Sequence, residues 1–435
     1  MARPRRHIPL NVFLNSRLVG RLNRQSSGAI DFQYDPIWLA WEHALPVSLS
    51  LPLREDRYIG APVVAVFDNL LPDNAAIRRR MAERVHAQGT DAHDLLAAVG
   101  RDCVGALQFL PDGVEPGPAG AVEGKPIDNA AIARLLADLA STPLGLGDDE
   151  DFRISIAGAQ EKTALLFWKG RWYKPLATTA TTHILKPQIG RLPNGIDLSC
   201  SVENEFFCLK LTAALGLQSA GVAIAEFGGN RVLVIERFDR RWTRDNRLLR
   251  LPQEDCCQAL SVPPSLKYEA DGGPGIPAIL NLMKGSDQPG ADQAAVLKAV
   301  IVFWLLGATD GHAKNFSLFL SPGGRFRMTP LYDVISAQPS LRTGQIRRNK
   351  MKLAMAVGDR RHYVVASVMP RHFVETAQKA GLGAGFVKTI FAELYNRMPS
   401  AITDVAAALP DWFPSQIADA IIAGIKDRLH RLEEL

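Results

Sequence analysis

Asp310, Asn315 and Asp333 come in an order that suits phosphoryl transfer: an aspartate, an asparagine five residues on, and a second aspartate within the next twenty. They lie in Gly307-Ala-Thr-Asp-Gly-His-Ala-Lys-Asn315 and Thr329-Pro-Leu-Tyr-Asp-Val334. The reaction needs one carboxylate to orient the attacking hydroxyl and accept its proton, a role open to Asp310. It also needs hard oxygen ligands that hold magnesium against the phosphates, and the Asn315 amide with the Asp333 carboxylate makes such a pair. The plainer reading of the first stretch is a helix C-cap, with Gly307 and Gly311 as turn residues and Asp310 as a cap. The complete triple, with a lysine and a small-residue turn upstream, favours the chemistry.

Three upstream elements must serve that triple. Phe152 to Phe167 reads as strand, short turn, strand. At the turn, Ala157, Gly158 and Ala159 let backbone amides approach phosphate oxygens, and Lys162 adds a positive charge. The spacing of a Walker loop is absent, and alone the stretch is only a turn. Ser155 beside it reads as an ordinary strand hydroxyl. Thr181 to Pro187 reads as a strand ending near Lys186, which can reach the α- and β-phosphates of a nucleotide. Glu203 and Glu205 on the next helix are its candidate ion-pair partners; a solvated edge-strand lysine is the alternative. Asn230 to Asp239 reads as a strand running into Glu236 and Phe238. That is where a hinge would read adenine, or else another core strand.

The chain has 435 residues, 47% of them hydrophobic, and a net charge of +5. That bounds it to two or three domains, or one large two-lobed unit, with a sizeable core. The charge does not by itself demand nucleic acid. Five cysteines form no Cys-x-x-Cys pair, and the basic start has no long apolar stretch behind it. The longest apolar run, near 299 to 308, is short for a bilayer. The expectation is a reduced, cytoplasmic protein with no membrane partner.

In chain order, residues 8 to 22 read as a hairpin around Asn15-Ser16-Arg17, with further strands at 30 to 34, 47 to 53 and 103 to 110. A basic helix is expected over 74 to 88, capped near Asp73. Residues 1–110 read as a small α+β domain in which nothing looks catalytic. Residues 111–126, with four prolines and four glycines, read as a linker. A helix follows near 128 to 140, within a unit spanning 127–240. Residues 241–435 read as mainly helical, with a helix beginning near Pro252, a buried one over 294 to 306 and an amphipathic one from Pro414. Between them, Ala270 to Gly275 is an exposed Gly-rich loop. The run Arg342, Arg347, Arg348, Lys350 and Lys352 is either a solvated loop or a face for an acidic partner.

Ile154-Ser-Ile-Ala-Gly-Ala-Gln-Glu-Lys162, His183-Ile-Leu-Lys186, Glu236-Arg-Phe-Asp239, Leu251-Pro-Gln-Glu-Asp255, Lys267-Tyr-Glu, Asp271-Gly-Gly-Pro-Gly275, Gly307 to Asn315 and Tyr332-Asp333 together resemble the HipA serine/threonine-kinase toxins of bacterial toxin–antitoxin modules. Asp68-Asn-Leu-Leu-Pro-Asp73 and Gly100-Arg-Asp102 extend the resemblance over nearly the whole chain. It implies an α+β fold: a β-rich N-terminal subdomain, then a two-lobed protein-kinase-like core whose C-terminal lobe is all helical. It implies Asp310 as catalytic base and Asn315 and Asp333 as ligands of Mg2+. It implies an ATP site of Ala157, Gly158, Ala159, Gln160, Glu161, Lys162, Lys186, Glu236, Phe238, His312, Lys314, Asn315 and Tyr332. Ser155 matches the family's autophosphorylation site, whose modification ejects the turn and switches the kinase off. The implied partners are a HipB-like helix-turn-helix antitoxin dimer, operator DNA reached mainly through it, and a translation protein such as glutamyl-tRNA synthetase as substrate. Thr376 to Gly381 keeps the single Lys379 where relatives carry a basic pair. Two alternatives share the residues: a small-molecule phosphotransferase of aminoglycoside type, and a catalytically idle co-repressor.

Overall fold

The computed structural model describes residues 8–139, 143–144, 154–158 and 160–434. The first unit is a five-stranded antiparallel sheet. Leu10–Leu14 and Arg17–Arg24 form its central hairpin, turned by Asn15 and Ser16, both at positive φ. That geometry matches the twist of the two strands. Helices Ala61–Asp68, Ala75–Arg84 and Ala92–Val99 accompany it. The helix Ala75–Arg84 is capped by Asn74, one residue later than expected.

Two of the expected strands are absent or shortened. Residues 47 to 53 form no strand, although Ser and Leu alternate there. The Tyr34 hydroxyl takes the Leu51 carbonyl and the Val47 amide, while Ser48, Leu49 and Ser50 bond to Glu254 and Gln258 of the far half of the chain. The strand expected from Cys103 starts only at Leu107. Before it, the Cys103 carbonyl accepts from Arg237 and Arg240, and the Gly105 amide donates to Asp239. The backbone groups a ladder would need are engaged elsewhere.

The second sheet has six strands in the spatial order Val222–Phe227, Asn230–Glu236, His183–Pro187, Thr163–Trp168, Arg171–Pro175, Gly124–Pro126. The end of the Pro/Gly-rich stretch is therefore its edge strand and no free tether. Of the strand–turn–strand expected over 152 to 167, the second strand forms. Ile154 keeps only a single bridge to Asp102, and Phe152 and Arg153 lie outside the described residues.

The remainder is mostly helical, but not wholly. Gln253–Asp255, Ser317–Ser321 and Arg325–Met328 pair into a small sheet, and Lys352–Val357 and His362–Val364 into another. The helix expected from Pro252 starts at Cys256 instead, with Asp255 and Gln258 closing a capping box. Pro289–Leu306 is long and apolar enough to cross a membrane, yet it is the buried centre of this half, packed by Ile276–Met283 and Ser415–Leu429. It ends at Gly307 in the left-handed conformation, where a Cβ would strike the Met351 side chain. The C-cap reading holds for Gly307, which ends the helix, and not for Asp310.

Glu254 is buried at the seam between the two halves, accepting from Ser48 Oγ and from the Leu49 amide at 2.8 Å. Burial pushes its carboxyl up to about 8. A carboxyl raised in the fold keeps its proton between the unfolded value of 4.5 and about 8, so stability falls as pH rises through that window. The slope for one such group is about 1.4 kcal/mol per pH unit. Glu254→Gln mimics the protonated acid. Thermal melts from pH 4 to 8.5 are expected to show the variant matching wild type at the acid end and surpassing it at the basic end; parallel curves would refute this.

Candidate active site

A cavity of about 500 Å³ opens between the six-stranded sheet and the helical half, a size ordinary for a small-molecule site. Its apolar end is lined by Val104, Ile184, Ile235, Phe238 and Tyr332. Phe238 lies edge-on to Phe319 and is tilted 38° to Tyr332, making a flat wall suited to a planar base. The Tyr332 hydroxyl is tied to the Lys314 carbonyl at 2.7 Å, so its ring faces the cavity. Glu236 ends its strand at the rim, exposed, and its amide donates to Gly221.

At the polar end, the buried Lys186 ammonium bridges Glu205, at 2.8 and 3.1 Å, and Asp333, at 2.8 Å. Burial would lower this lysine; the two carboxylates overcome it and raise its pKa. Burial lifts the Glu205 carboxyl to about 7 against the pull of Lys186. Burial would also raise Asp333, yet Lys186 and Lys162 hold it well below the usual carboxylate range. Glu203, the other candidate partner, serves Arg231 and Gln188 instead.

Asp310 stands on the loop after Gly307. Gly311 is required because the loop lies on Phe303, where a Cβ would come within 2.5 Å of the ring. Asp310 is exposed at the cleft, where desolvation by the surrounding walls raises its carboxyl and the Tyr268 hydroxyl, donating at 2.5 Å, opposes that. Asn315 donates from its side-chain nitrogen to the Asp310 carbonyl at 2.8 Å, which leaves its amide oxygen for a cation. Asp333 sits at φ 61°, a conformation aspartate tolerates better than most side chains. One of its oxygens is on Lys186. Asn315 and Asp333 therefore offer few, hard donors, and among the described residues no group of three His, Cys, Asp or Glu could hold a metal alone. This fits magnesium, which keeps waters and binds through one or two side chains plus phosphates.

The small-residue turn is folded over this end. Gly158 has φ 112°, and a Cβ there would meet Lys162 Nζ at 2.5 Å. Lys162 reaches back to the Ala157 carbonyl; burial, reinforced by Lys186, pushes its pKa down to about 8. Gln160 donates to the Pro187 carbonyl, and Glu161 pairs with Arg80 at 2.6 Å. Ala159 lies outside the described residues. Ser155 is fully buried; its hydroxyl donates to the Leu70 carbonyl at 2.8 Å.

His312 is buried, and burial pushes its pKa down to about 4. Its ring meets that of Tyr268 edge-on. Lys314 lines the cavity, but its ammonium donates to the Asn69 carbonyl and side-chain oxygen, at 3.0 and 2.7 Å, and pairs with Asp255 at 3.2 Å. It fastens the first unit to the loop that carries Asp310. Asn69 and Asp73 line the same cavity, and Asp73 pairs with Lys267 at 2.8 Å. The first domain, in which nothing looks catalytic from sequence, thus contributes Asn69 and Asp73 to the cavity lining. The signal was the Asp68 to Asp73 stretch, which the family resemblance covers and whose Asp73 otherwise reads as the cap of the following helix.

A sheet lobe over a mostly helical lobe, with a lysine–glutamate pair and an Asp–Asn–Asp set in the cleft between them, defines a kinase-like fold. Residues 10–110 match the family model of the HipA N-terminal domain, and residues 154–402 that of the HipA-like C-terminal domain. The chain belongs to the HipA family. Y4mE of Sinorhizobium fredii, which bears a kinase name, is 36% identical over 93% of both chains. The serine/threonine-protein kinase toxin HipA of Shewanella oneidensis is 27% identical over 93% of this chain and 90% of its own. The solved complex of Shewanella oneidensis HipA with HipB and operator DNA contains a chain that superposes with a TM-score of 0.82, at 25% identity and 98% coverage of both.

Proposed function

We propose that this chain is a Mg2+- and ATP-dependent serine/threonine protein kinase that acts as the toxin of a toxin–antitoxin pair and silences itself through Ser155. The observation that carries the reading is Lys186 held at 2.8 Å from both Glu205 and Asp333, in one cavity with Asp310 and Asn315. Phe238, Tyr332 and the neighbouring isoleucines hold the base. Lys186 and Lys162 meet the phosphates beneath the Ala157 to Lys162 turn, whose amides donate to them. Asn315 and Asp333 would hold the magnesium ion, which supplies charge neutralisation on the phosphates. Asp310 orients the acceptor hydroxyl and takes its proton as the oxygen–phosphorus bond forms and the bond to ADP breaks.

Phosphate on Ser155 adds roughly two negative charges in a site with no space and a single carbonyl partner. The turn must leave, taking Gly158 and Lys162 from the pocket. The acceptor implied by the family is a translation protein such as glutamyl-tRNA synthetase, with growth arrest in the cytoplasm as the outcome. A small helix-turn-helix antitoxin carries the complex to operator DNA. In this chain Lys379 is already tied to the Gly358 carbonyl and Asp359, while the run from Arg342 to Lys352 is exposed.

The test is intact mass and peptide mapping after incubation with Mg·ATP. One phosphate on Ser155, absent from Ser155→Ala, is expected. No added phosphate on initially unmodified protein would overturn the self-silencing reading.

A further inference from the structure

Lys267-Tyr268-Glu269 and the Gly-rich loop after it have no part in the chemistry above. Their geometry gives them one. The Tyr268 hydroxyl points at Asp310 Oδ1 from 2.5 Å, the hydrogen bond an acceptor hydroxyl must make to that carboxylate before transfer. The backbone that presents this tyrosine is pinned on every side. Lys267 is paired to Asp73, and Glu269 accepts from the Ala356 amide at 2.6 Å and pairs with Arg361. The Tyr268 carbonyl accepts from the amides of Asp271 and Gly273. A Cβ at Gly273 would lie 1.8 Å from the Leu266 carbonyl oxygen, so only glycine lets the loop close there. The side chain itself is half-buried, with one edge contact to His312. A fixed backbone with a partly exposed ring lets the hydroxyl leave by side-chain rotation alone.

We propose that Tyr268 occupies the acceptor position on Asp310 and that a serine or threonine hydroxyl must displace it, so that Tyr268 gates the site against water and selects for acceptors that bind well enough to move it. This rests on the kinase reading above. Without an acceptor, the phenol hinders the carboxylate from activating a water molecule, and ATP bound in the cleft is hydrolysed only slowly. With one, the acceptor's O–H replaces the phenol's on the same oxygen and donates its proton there.

The test is acceptor-free ADP release by the full chain in Mg·ATP, comparing Ser155→Ala with Ser155→Ala/Tyr268→Phe so that self-transfer consumes no ATP. Phenylalanine keeps the ring on His312 and removes only the hydroxyl. ADP release is expected to rise about tenfold in the double variant, the factor that releasing one hydrogen bond to a charged group is worth. Unchanged or slower release would overturn the gate and make the tyrosine an aid that positions Asp310. Phosphate on Tyr268 itself would overturn it too, since the phenol would then be an acceptor. Failure of the kinase reading looks different: neither protein would release ADP, and the gate would fall with it.

Discussion

Asp310→Asn is expected to lower the turnover number for phosphoryl transfer by about a thousandfold, within the range a positioned general base contributes. The substitution is nearly isosteric. An asparagine oxygen still accepts the Tyr268 hydroxyl, and the bond from Asn315 goes to the Asp310 backbone carbonyl, which the change leaves in place. The side chain is more than half exposed, so no buried network loses a charge. Loop and fold should therefore persist, with a melting temperature and circular dichroism matching wild type. Nucleotide affinity should persist as well, because the base and phosphate contacts proposed above lie on other residues. What goes is the basic carboxylate that takes the acceptor's proton, since an amide oxygen accepts a hydrogen bond but is far too weak a base. The measurement is initial-rate transfer of labelled phosphate at saturating Mg·ATP, with affinity measured separately. A variant that keeps a tenth or more of wild-type turnover would remove Asp310 from the role of base.

How much of this site can be read along the chain depends on how local each part is. Asp310 and Asn315 share one loop, and the chemistry dictates their types and spacing, so the stretch announces itself. Lys186 is readable as a lysine on a strand followed by acidic residues on a helix. The choice between Glu203 and Glu205 is not readable. Two positions apart on a helix they face different ways, and Gln188 and Arg231 fix which one is left for the lysine. Lys314 shows the opposite limit. Beside Asp310 it looks like a phosphate ligand, but its partner Asn69 stands 245 residues away, and nothing local foretells that contact. The same holds for Ser48 to Ser50. Their alternation with leucine reads as a strand, but each serine hydroxyl has a partner more than two hundred residues downstream. Tyr268 was visible as part of a family-like stretch, yet its function waits on the fold that brings it to Asp310.

Asp102→Asn should be strongly destabilising. Asp102 is buried and accepts from Arg240 at 2.9 Å, Arg250 at 3.0 Å and Arg237 at 3.2 Å, as well as from the Thr181 amide and hydroxyl. Asp239 answers Arg237 and Arg240 from the other side. Three guanidinium groups thus share two carboxylates away from water. Burial would raise Asp102, and the three arginines hold it far below the usual aspartate range. Its stabilisation is therefore present above the ordinary carboxylate pKa and lost only in strong acid. Asparagine removes one charge, leaves three cations to one anion, and turns an amide donor toward donors. Breaking such a buried set costs about 3 to 5 kcal/mol. The contrast is Asp245→Asn, which removes an exposed, solvent-screened partner of Arg247. Urea unfolding near neutral pH should show a large loss for the first and almost none for the second; equal shifts would refute the assignment. The network also joins Asp102 of the first unit to Arg237 and Asp239, which flank Phe238 on the cavity wall. Loosening it should weaken nucleotide affinity even where the variant still folds, a coupling that a merely structural ion cluster remote from the cleft would not produce.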